Sequence, residues 1–70
     1  MYLGWYDSSK LSIEQKIRNG LAAYQERYGV PATAVLVHAA VVVEVPGVVV
    51  LAKPFIRPDH FWIGQRESVE

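Results

Sequence analysis

The chain contains no cysteine. That excludes a disulfide framework, a thiolate-bound zinc and a thiol nucleophile together. It has no surplus of either charge: seven Lys and Arg stand against seven Asp and Glu, for a formal net charge of zero. A chain without a global field draws neither nucleic acid nor an anionic membrane from a distance, so any such binding has to come from a local patch. The five glycines are dispersed and form no Gly-x-Gly pattern, which leaves no loop to cradle a phosphate. The segment Tyr2-Leu3-Gly4-Trp5-Tyr6-Asp7 lacks the basic stretch and apolar core of a signal peptide, and a cytoplasmic setting is the expectation.

Length is scarce as well. Seventy residues amount to one domain, over residues 1–70. A chain of this size buries only about 60% of the surface its unfolded form exposes. Small domains usually make up the shortfall with disulfides, a metal or association with another chain. At 51% hydrophobic and 20% charged residues, the sequence is too apolar for disorder. Residues 32–52 carry only His38 and Glu44 as ionisable groups and are long enough to span a bilayer. A charge near mid-bilayer, where Glu44 would sit, costs roughly 2.5–3.5 kcal/mol, and Pro46-Gly47 interrupts the run. Strands are the better reading, and no membrane span is expected.

The strongest local signal is helical. Ile13, Ile17, Leu21, Tyr24 and Tyr28 recur at the spacing of one helix face, while Glu14, Lys16, Arg18, Asn19, Gln25 and Glu26 occupy the rest. Ser12 with Gln15 three residues on matches a capping box, with Ser9 a rival cap one turn earlier. Gly29 followed by Pro31 ends the helix. Gly20 falls inside the apolar stripe, where the lack of a side chain predicts a close approach to whatever the helix covers.

Around the helix the pattern is β. Met1 to Tyr6 is rich in strand formers and runs into an Asp7-Ser8-Ser9 turn. Thr33 to His38 lacks polar alternation and reads as the central strand, buried on both faces. Val41 to Val45 is a second β-branched run, either a strand or a short connection. Val45-Pro46-Gly47-Val48 fits a type II turn, which either closes a hairpin or leads into the next strand, Val48 to Lys53. Pro54 ends that strand or places it on an edge. Arg57-Pro58-Asp59-His60 fits a type I turn, Phe61-Trp62-Ile63 a last strand closed by Gly64, and residues 65–70 a solvated tail. The expected class is α+β: one amphipathic helix packed on a small three- or four-stranded mixed or antiparallel sheet.

Chemistry is sparse. His38 and His60 are the only imidazoles, and no carboxylate recurs beside either at a metal-ligand spacing. His38 reads as a hydrogen-bonded strand residue and His60, next to Asp59, as part of a turn. The serines at 8, 9 and 12 are accounted for by turn and cap chemistry. Asp7, Glu14, Glu26, Glu44 and Asp59 show no spacing that singles out an acid–base pair. No catalytic, cofactor-binding or metal-binding residue is assigned, no cofactor is expected, and an enzyme of unknown class is the third reading.

Two surfaces remain. If the runs at Val35–Val37, Val41–Val43 and Val48–Val50 are all strands, both sheet faces carry valines, and one helix covers only one of them. The leading expectation is therefore a small non-catalytic interaction module or accessory subunit. It would self-associate, as a homodimer, or dock on a protein partner through the apolar sheet face, with Val35, Val37, Val42 and Val49 as candidate interface. The alternative is a small nucleic-acid-binding protein using residues 53–66. There Lys53, Arg57, His60 and Arg66 interleave with Phe55, Phe61 and Trp62, cations for phosphates beside ring faces for bases, diluted by Asp59 and Glu67.

Overall fold

The computed structural model describes residues 2–66. In chain order it has β1 (Tyr2–Tyr6), α1 (Ile13–Tyr28), β2 (Ala34–His38), β3 (Val49–Lys53) and β4 (His60–Gly64). The strands form one four-stranded mixed sheet in the order β1-β4-β2-β3. β4 runs antiparallel to β1 and β2, while β2 and β3 are parallel. The architecture is α+β, with the helix packed against this sheet. No helix among the described residues is long and apolar enough to cross a membrane.

Local chemistry sets the ends of the elements. Asp7 Oδ1 accepts from the Ser9 backbone N–H at 2.8 Å and turns the chain out of β1. Hydrogen bonds from the Ser9 hydroxyl and backbone hold the Asp7 carboxyl below its ordinary value. Their contribution to folding is therefore complete at neutral pH and lost only as pH falls through that lowered value. Ser12, in extended backbone, caps α1 by accepting from Gln15 N at 3.1 Å. The Gln15 side chain does not complete a capping box, since its Nε2 donates to Asn19 Oδ1 instead. Gly29 closes the helix with φ 77° and donates to Gln25 O at 2.8 Å. Glu14 and Arg18 pair at 2.7 Å on the solvated side, which contributes a few tenths of a kcal/mol.

Register decides what faces the helix. Leu3, Trp5, Phe61, Ile63, Val35, Val37 and Val50 fall on one side of the sheet by strand alternation. Ile17 and Tyr24 of α1 pack with Val35, Val37, Phe61 and Ile63 in one core, and Leu3, Trp5 and Val50 join it from the edges. A fully buried side chain of this size stabilises by about 1.5–3 kcal/mol. The approach is closest at Gly20, where a Cβ would overlap the Ile63 δ-methyl and touch the Trp5 ring at 3.0 Å. The Trp5 indole N–H is buried there and has no hydrogen-bond partner among the described residues.

The valine run at 41–45 is not a strand. It forms part of the connection 39–48, which carries the chain between the parallel strands β2 and β3. It begins with a turn in which Val41 N donates to His38 O at 2.9 Å. It ends in the expected type II turn, with Gly47 at φ 89° and Val48 N bonded to Val45 O. That turn leads into β3 and closes no hairpin. Val41, Val43 and Val48 pack on the core and Val45 is buried within it, while Val42 and Glu44 point outward. The segment is a strap on the helix side of the sheet, with Pro46, Gly47 and Val48 alongside Leu21, Ala22 and Gln25 of α1. Valines that seemed surplus are thus spent inside the molecule.

One further expectation changes. Asp59 has φ 63°, so the Arg57–His60 turn, closed by His60 N to Arg57 O at 3.1 Å, has the positive φ of a type II turn rather than type I. This left-handed backbone holds the Asp59 carboxylate 3.1 Å from Lys16 Nζ, and the Lys16 side chain is only 6% exposed. Gln65 and Arg66, at the start of the expected solvated tail, are exposed and bonded to the entry of β2, Gln65 Nε2 donating to Pro31 O and Arg66 N to Thr33 Oγ1. Residues 67–70, the rest of the expected tail, lie outside the described residues.

Two outcomes follow for chemical denaturation. Gly20→Leu is expected to cost about 1–3 kcal/mol by overpacking, and Gly20→Ala to forgo the roughly 1 kcal/mol that a helix interior normally gains from that change. Stability equal to wild type in Gly20→Leu would show an open helix face at that position. Asp59→Asn keeps a residue tolerant of the left-handed backbone but leaves the Lys16 ammonium unpaired, for a loss of about 1–3 kcal/mol. Adding Lys16→Met to Asp59→Asn should recover most of that loss. A double variant no more stable than Asp59→Asn would show that the ion pair is not the cause.

Candidate functional site

Among the described residues no element covers the face of the sheet away from α1 and the strap. Alternation and register place Tyr2, Tyr6, His60, Trp62, Leu36, His38, Val49, Leu51 and Lys53 there. Trp62 lies at its centre, opposite Gly4 of β1 on one side and Leu36 of β2 on the other. Leu36 is only 8% exposed, so the middle of this face is dried by its own neighbours. The aromatic rings around it remain in solvent: Tyr6 is 61%, Phe55 60%, Trp62 41% and Tyr2 38% exposed.

These rings are arranged in two groups along β4. Phe55, presented by the turn in which Ile56 N donates to Lys53 O, has its ring centroid 5.5 Å from Trp62. At the start of the strand the Tyr6 and His60 rings are 4.7 Å apart. Such tilted pairs hold one another's orientation. Two open hollows flank Trp62. One is lined by Phe55, Ile56, Arg57, His60 and Trp62, the other by Tyr2, Gly4 and Trp62. The second exists because Gly4 has no side chain, and a Cβ there would meet nothing within 4 Å.

The charged groups of this side are basic. Lys53 and His38 are register partners at the end of the parallel pair, and Arg57 and His60 line the first hollow. His38 Nδ1 donates to Ile56 O at 2.8 Å, a bond that ties β2 to the Phe55 turn and fixes which ring nitrogen carries the proton. No strand residue of this face is a carboxylate. Asp59 directs its carboxylate to Lys16 of the helix, and Asp7 is engaged with Ser9. Among the described residues no group of three or more His, Asp and Glu side chains is placed to hold a metal ion.

Comparison with known proteins finds no matching family model, no matching curated protein and no matching solved structure. The functional reading therefore rests on this geometry.

The candidate residues separate cleanly. Of the four valines expected at an interface, Val35 and Val37 are 0% exposed and belong to the core, so neither can touch a partner. Val42 is 97% exposed but sits on the strap, on the helix side. Only Val49 is on the uncovered face, half-buried beside Ala34. Of the candidates in 53–66, His60 and Trp62 lie together with Arg57 around one hollow, and Lys53 is on the same face. Arg66 is beyond the far end of β4, beside Thr33. Phe61, grouped with them in sequence, points the other way and is 1% exposed. Sequence reasoning allowed Tyr2, Trp5 and Tyr6 to fold over the uncovered face and dry it, but did not count Tyr2, Gly4 or Tyr6 as site residues; Trp5 packs with the core instead, and the alignment of the other three with Trp62 depends on the β1–β4 register.

The open hollow at Gly4 makes a prediction. A glycine inside a strand costs roughly 0.5–1 kcal/mol relative to a residue with a side chain. Gly4→Thr adds a strand former in free space, so its denaturation midpoint should rise by an amount corresponding to that figure. A clear loss of stability would mean that Trp62 or Tyr2 already fills the position.

Proposed function

We propose that this chain is a small non-catalytic binding module whose working surface is the sheet face left bare by α1 and the strap. A cytoplasmic setting is part of this reading. The observation that carries it is the exposure of Tyr2, Tyr6, Phe55 and Trp62 together on one side of a sheet whose other side is packed. A short chain that places seven of its eleven valines in or against one core, yet leaves four aromatic rings in water on the opposite face, keeps apolar surface that its own stability does not need. Clusters of exposed rings on a rigid sheet supply contact area with little loss of side-chain freedom.

The homodimer expected from the valine content loses support from the same geometry. A two-fold contact across this face would bring Lys53 and Arg57 of one protomer into one interface with their copies. Like charges at a closing interface oppose it, and three of the four valines that motivated it lie elsewhere.

The reading separates a binding surface from a second core by the stability of polar variants. Tyr6→Thr and Phe55→Thr should each stay within about 0.5 kcal/mol of wild type in urea denaturation, as surface substitutions do. A cost well above 1 kcal/mol in each would show that these rings belong to the domain's own packing, and the face would not be a binding surface.

A further inference from the structure

The occupant of the bare face follows from its chemistry. Its rings are unpaired on their outer faces, its strand residues include no carboxylate, and its cations stand at the rim: Lys53 and Arg57 beside the Phe55–Trp62 pair, Arg66 past the opposite end of β4. A partner that fits has flat π surfaces to lay on the rings and negative charges spaced along a backbone. We infer that the face binds single-stranded nucleic acid, with bases stacking in the hollows on either side of Trp62 and phosphates held by Lys53, Arg57 and Arg66. This rests on the reading of the face as a binding surface and adds the identity of what it binds.

The physical case has three parts. Bases in a duplex are already stacked and offer no free face, so ring platforms of this kind select unpaired strands. A four-stranded sheet whose outward aromatics are spaced along its strands presents successive stacking positions, here Trp62 with Phe55 and, further along, Tyr6 with His60. Of the two carboxylates at the start of β4, Asp59 is paired with Lys16 on the helix side, which draws that negative charge away from the Arg57 hollow, while Asp7 keeps its charge in its hydrogen bonds with Ser9. The zero net charge of the chain is consistent with this arrangement. Among the described residues the remaining acidic side chains, Glu14 and Glu26 on the helix and Glu44 on the strap, are behind the sheet. Few cations are engaged, so the binding is of moderate strength and loses affinity as salt rises, with a slope near −0.7 per phosphate contacted.

The test is a titration of the full chain with dT and U oligonucleotides and with a duplex of the same length, at about 50 mM and 200 mM salt. Binding is read by fluorescence anisotropy of the labelled strand and by quenching of tryptophan emission. Expected are saturable binding to single strands, weaker binding to the duplex, and several-fold weakening between the two salt concentrations. Trp62→Ala should lose tenfold or more in affinity. Because Trp62 also shelters Leu36, Gly4→Thr serves as the companion variant, filling one hollow without touching the core, and it too should lose several-fold. Arg57→Glu should weaken binding several-fold and flatten its salt dependence, while Arg27→Glu on the helix leaves it unchanged.

Three outcomes overturn the inference. They are no binding to either single strand at about 50 mM salt, equal binding to duplex and single strands, or affinity that survives in Trp62→Ala, Gly4→Thr and Arg57→Glu alike. If single strands fail to bind while sedimentation velocity shows wild type associating with itself and Gly4→Thr remaining a monomer, the binding-surface reading stands and a second copy is the occupant. The reading itself falls only through the stability cost of the Tyr6 and Phe55 variants.

Discussion

The contact on which the rest of the structure depends is the seating of α1 at Gly20. With no side chain at that position the helix comes down on Trp5 of β1 and Ile63 of β4, and a methyl group there already has no room. Seated over the β1–β4 side, the helix leaves the β2–β3 side of the same face uncovered. The strap of residues 39–48 fills that gap with Val41, Val43, Val45 and Val48. Because both covering elements lie on one side, the other side of the sheet is covered by no element among the described residues. The bare aromatic face is a consequence of where the helix and the crossover sit.

The Lys16–Asp59 pair joins the two ends of this arrangement. Lys16, grouped with the polar residues by sequence spacing, is in fact buried with Ile17, Gly20 and Tyr24 and reaches the turn before β4, and that turn adopts a left-handed backbone at Asp59 to meet it. The main chain of the same residue accepts from Asp7 N at 3.0 Å, so β1, α1 and β4 are tied at one point. The consequence for the opposite face is electrostatic: the carboxylate preceding His60 is drawn to the helix side, and Arg57 stands beside Trp62 in a hollow lined by no carboxylate. An interaction inside the fold thereby sets the sign of the surface outside it.

Much of the local structure was legible in the residues. The stripe Ile13, Ile17, Leu21, Tyr24, the Ser12 cap and the Gly29 stop determine α1, because each acts within one or two turns of chain. The Pro46-Gly47 turn and the end of β3 at Lys53 before Pro54 follow from fixed φ and missing donors. The candidate site was legible only in part. Lys53, Arg57, His60 and Trp62 could be grouped from their closeness in sequence, but Phe61 could not be separated from them without knowing which way β4 faces. Val35 and Val37 were misread because a strand buried on both sides has no alternation to tell partner-facing from core-facing positions.

The sequence by itself determined the α+β class, the helix and its ends, the glycine on its apolar face, and the absence of thiol chemistry. These are properties of composition and of contacts a few residues apart. Only the tertiary structure decided that Val41 to Val45 is a strap and not a strand, that β2 and β3 run parallel, and that Tyr2, Gly4 and Tyr6 align with Trp62 on a bare face. Each depends on pairing between residues far apart in the chain. Local preference has no hold there: a β-branched run is equally content in a sheet or lying extended across one, and a shift of one residue in register turns every side chain to the opposite face.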